Sequence, residues 1–566
     1  MGGYDDGLGN SQALLVTESG GRWHQAVQAQ APAGAAVDPF KVSDGGGLVG
    51  ISCPAAGDCS AVGRYTGANR TDHGVLFTET HGHWLRGVRL VLPPNTVVAP
   101  KPKSGGVVDA LGLSAISCSS VGNCVAVGNY ESNAEVWEAM IVVEHRGHWT
   151  RAIEAPLPSG AAVQGQNAVL LSVTCRSSGT CTAAGEYVDG SGHQQSLLVR
   201  GSGDSWSVAP APAPPSDADS DPNIIPSSVS CAADGDCAAV GTYVNPLQNS
   251  LGLLLDESGG NWVGGTGAML PPNAAPATTV GDQTVVLASV ACPQTGSCTA
   301  VGWYFDNDEN GQGLLVTQNA GVWQPGVEVT LPSNAVSGLE KQSAGLDWIS
   351  CASVGNCLAT GVYTDLGYNS QGLLLPQVGG VWQPGVESPL PSNASTVQYA
   401  AADQADCTAV GACTVIGQYN DHHGDVLGYV LSETNGTWGH AAEIDLPAAS
   451  ATEAKLSLAA ILAPAKKTAR LARIRSSRHY SYEYQAVEAG TATVSWYSTR
   501  DRRRVLIATG RVRVAAPGPI KLEMHLTRAG HSTLTGVRHV RVSVIARFTP
   551  RLRQPPQHAQ ASFTLS

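Results

Sequence analysis

Short apolar runs separated by Gly and Pro clusters recur along residues 1–447. That punctuation predicts strands of four to eight residues. The stretch Ile116–Pro158 shows the unit most clearly: an apolar run, Cys-x5-Cys, a small-apolar run ending in Gly-x-Tyr, a variable loop, a second apolar run, a Gly turn, Trp, then Leu-Pro. Each unit reads as four strands. A runs into the first Cys, B runs from the second Cys to Gly-x-Tyr, C is the next apolar run, and D carries the Trp. Successive first cysteines lie between 56 and 65 residues apart. Four strands at such a period predict one blade of a β-propeller. The repeated Gly is expected to admit close packing of a neighbouring blade, and the Trp to lie at the seam between blades.

The repeat occurs seven times in full. Its cysteines pair as Cys53 with Cys59, Cys118 with Cys124, Cys175 with Cys181, Cys231 with Cys237, Cys292 with Cys298, Cys351 with Cys357 and Cys407 with Cys413, which uses all 14 cysteines. Zinc sites favour two to four residues between paired ligands and bring two pairs together. Here the spacer is five and each pair lies in its own repeat, so the expectation is seven disulfides within repeats, made in an oxidising compartment. No free thiol nucleophile is then left.

Residues 1–34 read as the second half of a repeat, with Tyr4 and Trp23 at the repeat's Tyr and Trp positions. This stretch has no basic start or apolar core of a signal peptide. Met1 stands where other repeats have an apolar residue, often Val. The expectation is an internal start, with a signal peptide and a Cys hairpin encoded upstream and eight blades in the whole gene; a genuine half-repeat is the alternative. The half-blade is expected at the ring seam beside the last blade. Residues 35–447 form the propeller of seven repeats. Residues 448–478 read as an Ala-rich helical linker broken near Pro464. Residues 479–566 hold six alternating stretches, without helices among them, that predict a β-sandwich.

Charge sharpens that division. Residues 1–447 carry 13 Lys and Arg against 40 Asp and Glu, net −27; residues 448–566 carry 20 against 5, net +15. Two surfaces with different partners follow. In the tail, Arg500, Arg502, Arg503 and Arg504 form a dense basic turn, and Arg470, Arg473 and Arg475 line the linker. Docking on the acidic propeller or on an anionic envelope polymer such as teichoic acid would each use that charge. No run of about 20 apolar residues is present to span a membrane.

The repeat pattern SC-x5-C-x-AVG-x-Y resembles secreted actinobacterial repeat proteins. More distantly the units resemble kelch and Asp-box propellers, through a Gly-turn-Trp hairpin such as Ser258-Gly259-Gly260-Asn261-Trp262. Kelch repeats carry Gly-Gly after the second strand, whereas Val301-Gly302-Trp303-Tyr304 has one Gly, and the Asp-box aspartate is missing from most copies. The tail, with YSYEYQAVEAGTATVSWYS followed by LTRAGHSTL, is similar to bacterial immunoglobulin-like domains. These resemblances imply fold and secretion rather than chemistry.

Reactive constellations are sparse. There is no His-Glu-x-x-His, no Gly-x-Ser-x-Gly and no phosphate loop. His81, His83, His145 and His148 lie in turns beside Trp and read as solvated. His422-His423 sits in a loop with Asp421 and Asp425, a weak metal candidate. Arginines are few in residues 1–447 and none repeats, which leaves no arginine cluster for a sialidase. Asp306-Asn307-Asp308-Glu309-Asn310-Gly311 reads D-x-D-x-N-G, so Asp306, Asp308 and Asn310 are candidate calcium ligands, although Thr317 stands at the twelfth position where an EF-hand has Glu.

The A–B turns are locked by cysteines and the C–D turns are short, whereas the B–C and D–A loops vary. Binding is expected on that variable face. Asp189, Asn245, Asp306, Asp365 and Asp421 recur two residues after the repeat Tyr. They form a candidate binding rim, and Asp or Asn there also closes a turn on its own backbone. The reading is a monomeric, secreted or cell-surface binding or scaffold protein for a glycan, a protein or an envelope polymer, with no nucleic-acid partner and no cofactor beyond calcium. A carbohydrate-active enzyme is the alternative.

Overall fold

The computed structural model describes residues 1–6, 10–19, 21–36, 38–40, 47–68, 70–96, 111–163, 165–278, 280–281, 283–336, 342–447, 471–486, 490–500, 503–514, 518–550 and 557–565. The chain divides into two compact units. One comprises Met1–Gly2 and Ala13–Asp445, the other Gly3–Gln12 and Leu446–Ser566. Among the described residues no helix is long and apolar enough to cross a membrane.

The protein is all-β, and its larger unit is a β-propeller. Each of the seven repeats folds into one antiparallel sheet in the order A–B–C, with D against C. In the fifth blade these are Val285–Gln294, Ser297–Phe305 and Gly311–Asn319, followed by two short pieces, Val322–Trp323 and Val327–Glu328. The A strands of successive blades touch one another and form the inner wall. Strand D, expected as one strand, is split in two everywhere except the third blade, where Ser205–Val208 is continuous. The split has a cause. Between the pieces a backbone N–H turns to the preceding blade: Gly326 donates to Met269 O at 2.7 Å and Gly385 to Thr330 O at 2.7 Å. Pro325 and Pro384, just before these glycines, have no N–H to give to a ladder.

The glycine of Gly-x-Tyr does not admit a neighbouring blade, as expected of it, but its own strand A. Strand A bulges there: Leu287 pairs with Gly302 and Ser289 with Val301, leaving Ala288 over. A Cβ on Gly302 would lie 1.8 Å from Val286 O, and one on Gly128 would lie 1.9 Å from Gly112 O. The sixth blade repeats this at 2.0 Å between Gly361 and Gly345 O. Only glycine fits beneath that carbonyl.

All seven disulfides form within repeats, as the spacing predicts. Cys53 is bonded to Cys59, Cys118 to Cys124, Cys175 to Cys181 and Cys231 to Cys237. Cys292 is bonded to Cys298, Cys351 to Cys357 and Cys407 to Cys413, and no cysteine is free. Each bond closes a hairpin with 3.9–4.1 Å between Cα atoms. The second cysteine of each pair points into the blade: Cys59, Cys124, Cys181, Cys237, Cys298, Cys357 and Cys413 are all buried. These bonds are therefore structural staples. On the same face the C–D turn packs on the A–B turn: Gly147 N–H donates to Gly122 O at 2.8 Å, and Gly321 N–H to Gly296 O at 2.9 Å. This face is rigid backbone on backbone.

Neighbouring blades are stitched by the repeated aromatics. Trp84 Nε1 donates to Thr17 Oγ1 (3.2 Å), Trp149 Nε1 to Thr78 Oγ1 (3.3 Å) and Trp323 Nε1 to Asp256 Oδ2 (2.9 Å), each across a seam. The expected seam position of Trp is thus observed. The half-blade uses the same contacts on both sides. Trp23 Nε1 reaches Ser432 Oγ of the seventh blade at 3.5 Å, and Ala26 N–H donates to Asp445 O at 3.0 Å. Gly87 of the first blade donates to Gln30 O at 2.8 Å. The half-blade therefore occupies an eighth position between the seventh and first blades. Its strands follow the order Gly2–Asp5, Ser11–Leu15, Val27–Gln28, equivalent to B, C and D.

In the tail all six expected strands form: His479–Ala486, Gly490–Arg500, Arg503–Val514, Gly518–Leu526, Val540–Pro550 and Gln557–Leu565. They hydrogen-bond in one continuous antiparallel path, with the first beside the fourth. Alternate residues Ala492, Val494 and Trp496 meet Val542, Val544 and Ala546 in a fully buried core. Two features differ from expectation: the strands share one sheet rather than two, and a helix, Arg528–Leu534, lies among them. Its cause is local, because Thr527 Oγ1 accepts the Gly530 N–H at 2.9 Å as an N-cap. The helix Leu471–Ser477 closes the linker and buries Leu471 and Ile474 in the same core. The rest of the predicted linker, with Arg470, lies outside the described residues.

Candidate functional site

The B–C and D–A loops meet on the face opposite the disulfides. Isolated bridges join them blade after blade: Ala161 with Asp189, Ala274 with Asp306, Ala335 with Asp365, Ala394 with Asp421. These partners are four of the five residues of the predicted rim, and their carboxylates turn inward. Asp306 Oδ1 accepts the N–H groups of Asp308 and Asn310, each at 2.9 Å, while Gln312 Nε2 donates to Oδ2 at 2.8 Å. Asp365 repeats this with Gly367, Asn369 and Gln371. Asp189 does so with Ser191, His193 and Gln195, Asp421 with His423 and Asp425, and Asn245 Oδ1 with Leu247 and Asn249. Burial opposes ionisation of Asp306 and Asp365, but the donors outweigh it and hold both carboxyls below their usual range.

The same geometry places the calcium candidates. Asn310 donates through Nδ2 to Asp306, and its Oδ1 accepts the Gln342 N–H at 3.1 Å. Asp308 is exposed. Protein donors thus already occupy the oxygens of two of the three residues. Among the described residues one group of potential metal donors converges, Asp421, His422 and His423, with ligand atoms within 4.8 Å of one another. His423 Nδ1 lies 3.1 Å from Asp421 Oδ2, and His422 Nδ1 lies 3.1 Å from Asn393 O.

What solvent meets on this face is the residues between the turn-closing acids. A cavity of about 650 Å³ opens beside the fifth blade, lined by Phe305, Asp306, Asn307, Glu309, Gln342 and Ser343 among others. In the sixth-blade turn Leu366 and Tyr368 stand 66% and 62% exposed. Tyr399 of the next loop is 63% exposed and bridges to Ser370, two residues from Tyr368. His422 and His423 follow in the seventh turn, both exposed. One sector, spanning the fifth to seventh blades, therefore combines exposed aromatic rings with carboxylates and amides. The sequence reading chose the repeated acids and missed these neighbours; Tyr368 and Tyr399 break the polar character of their loops, which is the signal that was there.

A second cluster lies on the inner wall. Asp347 and Asp403 occupy the bulge positions of adjacent A strands, Ala344–Ser353 and Ala401–Ala409. The other five bulges hold Val49, Ser114, Leu171, Ser227 and Ala288. Both aspartates are exposed to solvent, with protein atoms crowded around them. Asp403 is pushed up to about 6, by desolvation first and by the charge of Asp347 second. Asp347 is raised by desolvation. Trp348 beside them is 39% exposed, its Nε1 donating to Ala405 O at 2.9 Å. The seven inner strands contain no Arg or Lys.

The repeated tyrosines are committed to structure. Tyr304 O–H lies 3.0 Å from both Asn273 Oδ1 of the preceding loop and Glu328 Oε2, and Asn273 Nδ2 donates to Glu328 at 2.7 Å. Tyr130 forms the same triad with Asn95 and Glu154, Tyr363 with Asn334 and Glu387, and Tyr419 with Asn393 and Glu443. Burial raises each phenol well above its usual value. In the tail, Arg503 and Arg504 open the third strand, and the Arg504 guanidinium lies 3.9 Å from the Tyr497 ring centroid. Arg502 and the side chain of Arg500 lie outside the described residues.

No protein-family model and no curated protein matches the chain. Solved structures resemble it only loosely. A protein of unknown function from Dyadobacter fermentans is 12% identical with a TM-score of 0.30, over 58% of this chain and 96% of that one. A Trypanosoma rangeli sialidase is 10% identical with a TM-score of 0.30, over 98% and 87%. A polysaccharide lyase described as an ulvan lyase is 11% identical with a TM-score of 0.33, over 57% and 80%.

Proposed function

We propose that this is a secreted or cell-surface binding protein that takes a glycan on the variable-loop face, at the sector of the fifth to seventh blades. The observation that carries this is the pair of exposed tyrosines, Tyr368 and Tyr399, in adjoining loops of the same variable-loop face that holds the cavity lined by Asn307, Glu309 and Gln342. Sugar rings present C–H faces that stack on aromatic rings, and their hydroxyls take hydrogen bonds from amides and carboxylates; a few placed polar groups in an open pocket give orientation. Seven hairpin disulfides suit the protein to an oxidising compartment. The basic tail, net +15, then serves to hold the protein on an anionic envelope polymer.

The test is a glycan array with the intact protein and with the double variant Tyr368→Ala and Tyr399→Ala, with and without calcium. Loss of the bound glycans in the variant supports the reading. Unchanged binding moves the site elsewhere and overturns it. Asp306 is already filled by donors, so calcium is expected to act, if it acts, through Asp308 and the neighbouring carbonyls.

A second reading, a carbohydrate-active enzyme, is favoured by Asp347 and Asp403, two carboxylates with one held protonated up to about pH 6. Such a pair is what acid–base cleavage of a glycosidic bond uses. Polysaccharide depolymerisation by the protein, abolished in Asp403→Asn, would replace the binding reading with this one.

A further inference from the structure

The B–C turn of the seventh blade carries two adjacent histidines, His422 and His423, and the repeat shows that the turn does not need them. In the fifth, sixth and seventh blades Asp306, Asp365 and Asp421 each accept the same two backbone N–H groups, two and four residues on. Where the seventh blade has the histidines, the fifth has Asn307 and Asp308 and the sixth has Leu366 and Gly367. The turn closes alike in all three, so folding does not account for the imidazoles.

Both rings are held by the same end. His422 Nδ1 lies 3.1 Å from Asn393 O, which also accepts the His422 backbone N–H at 3.0 Å. His423 Nδ1 lies 3.1 Å from Asp421 Oδ2. A carbonyl oxygen only accepts, and so does an ionised carboxylate. Burial opposes the charge of Asp421, but the His423 ring and the N–H groups of Asp425 and His423 hold its carboxyl below the usual range. Nδ1 is therefore the donor in both rings, and in the neutral imidazoles each Nε2 keeps its lone pair. Both residues are exposed, and their ring centroids are 4.0 Å apart. One nitrogen from each ring and an Asp421 oxygen lie within 4.8 Å of one another. Two nitrogens at ~2.1 Å from a tetrahedral ion sit about 3.4 Å apart, which small rotations of exposed rings reach.

We propose that His422 and His423 bind a borderline divalent transition metal such as zinc through their Nε2 atoms, with Asp421 and the Asn393 carbonyl orienting the rings. Imidazole nitrogen suits zinc, nickel or copper, whereas calcium takes oxygen. A hydrogen bond from the far ring nitrogen to a carboxylate or carbonyl is what metal-bound histidines use: it fixes the tautomer and raises the basicity of the ligating nitrogen. Two protein ligands leave positions for water, or for an oxygen of a molecule docked on the variable-loop face. The site is independent of the glycan reading, because neither Tyr368 nor Tyr399 takes part in it.

The test uses the full chain without an affinity tag, equilibrated with micromolar zinc and dialysed, the retained metal being counted by mass spectrometry. Every cysteine is in a disulfide, so no thiolate competes. The parent should keep about one equivalent that the double variant His422→Ala with His423→Ala loses. No zinc on the parent, or the same zinc on the double variant, overturns the proposal. Asp421→Asn separates orientation of the ring from closure of the turn. Asn245 already closes the same turn in the fourth blade by accepting the Leu247 and Asn249 N–H groups, so the variant should keep its thermal midpoint. Its zinc affinity should fall about tenfold or more. Unchanged affinity in a folded Asp421→Asn overturns the orienting role. A large excess of calcium should leave the zinc in place, and its displacement would overturn nitrogen ligation.

Discussion

Replacing Gly302 by Ala tests the account of the repeat at its tightest point. The added methyl would sit 1.8 Å from Val286 O, 2.8 Å from Val286 C and 3.0 Å from Leu287 Cα, all backbone atoms of the adjacent strand. No rotamer relieves this, since the clashing atom is Cβ itself. The Val286 carbonyl must retreat by more than about 1 Å to ordinary contact, which undoes the bulge between Leu287 and Ser289. Overpacking of this kind costs typically 1–3 kcal/mol, and each ladder bond lost adds about 1 kcal/mol, so about 3 kcal/mol is expected. Gly345→Ala is the control, because its Cβ would meet only the Trp303 side chain at 3.5 Å, and a change within about 1 kcal/mol of zero is expected. Urea unfolding followed by tryptophan fluorescence, with amide exchange to localise the damage to the fifth blade, compares the two. If Gly302→Ala is no more destabilising than Gly345→Ala, the glycine is not kept for the bulge and the reasoning fails.

Other substitutions separate the seam contacts. Trp323→Phe leaves the Asp256 carboxylate without its 2.9 Å donor, whereas Trp382 Nε1 has no acceptor to lose; urea midpoints should therefore drop further for the first, by about 1 kcal/mol. Tyr363→Phe removes the hydroxyl shared by Asn334 and Glu387 and should cost about 1–2 kcal/mol by the same assay. Serine at both Cys351 and Cys357 should cost about 2 kcal/mol for so short a loop, read as a lower thermal midpoint. The pH prediction concerns Asp403. Its folded value, about 6, lies above the ordinary 3.8, so the folded state holds the proton more tightly and stability falls as pH rises through that window. Carboxyl NMR should give a midpoint near 6 that drops in Asp347→Asn, and a midpoint unmoved by that change would remove the coupling between them.

The repeat, its disulfides and the strand count were legible in the sequence for a physical reason. Each blade is one repeated unit, so Cys-x5-Cys and the Gly of Gly-x-Tyr answer to contacts inside the blade, while the Trp meets an equivalent neighbour at successive seams, and all three recur. Local chemistry also explains where reading stopped short. The N-cap of Thr527 turned a stretch taken as part of a sandwich into a helix, and the glycine of Gly-x-Tyr answered to its own strand rather than to a neighbour. Aspartates that alternate through loops look like ligands in a sequence, but only the fold shows that Asp306 and Asp365 spend their oxygens on their own turns. What tertiary structure alone decided was everything set by distant pairs. It placed Trp23 against Ser432 to close the ring, and it brought Asp347 and Asp403 together on the inner wall. It also put Tyr368 beside the loop of Tyr399. No local pattern carries such encounters, because each depends on how far the ring turns between one blade and the next.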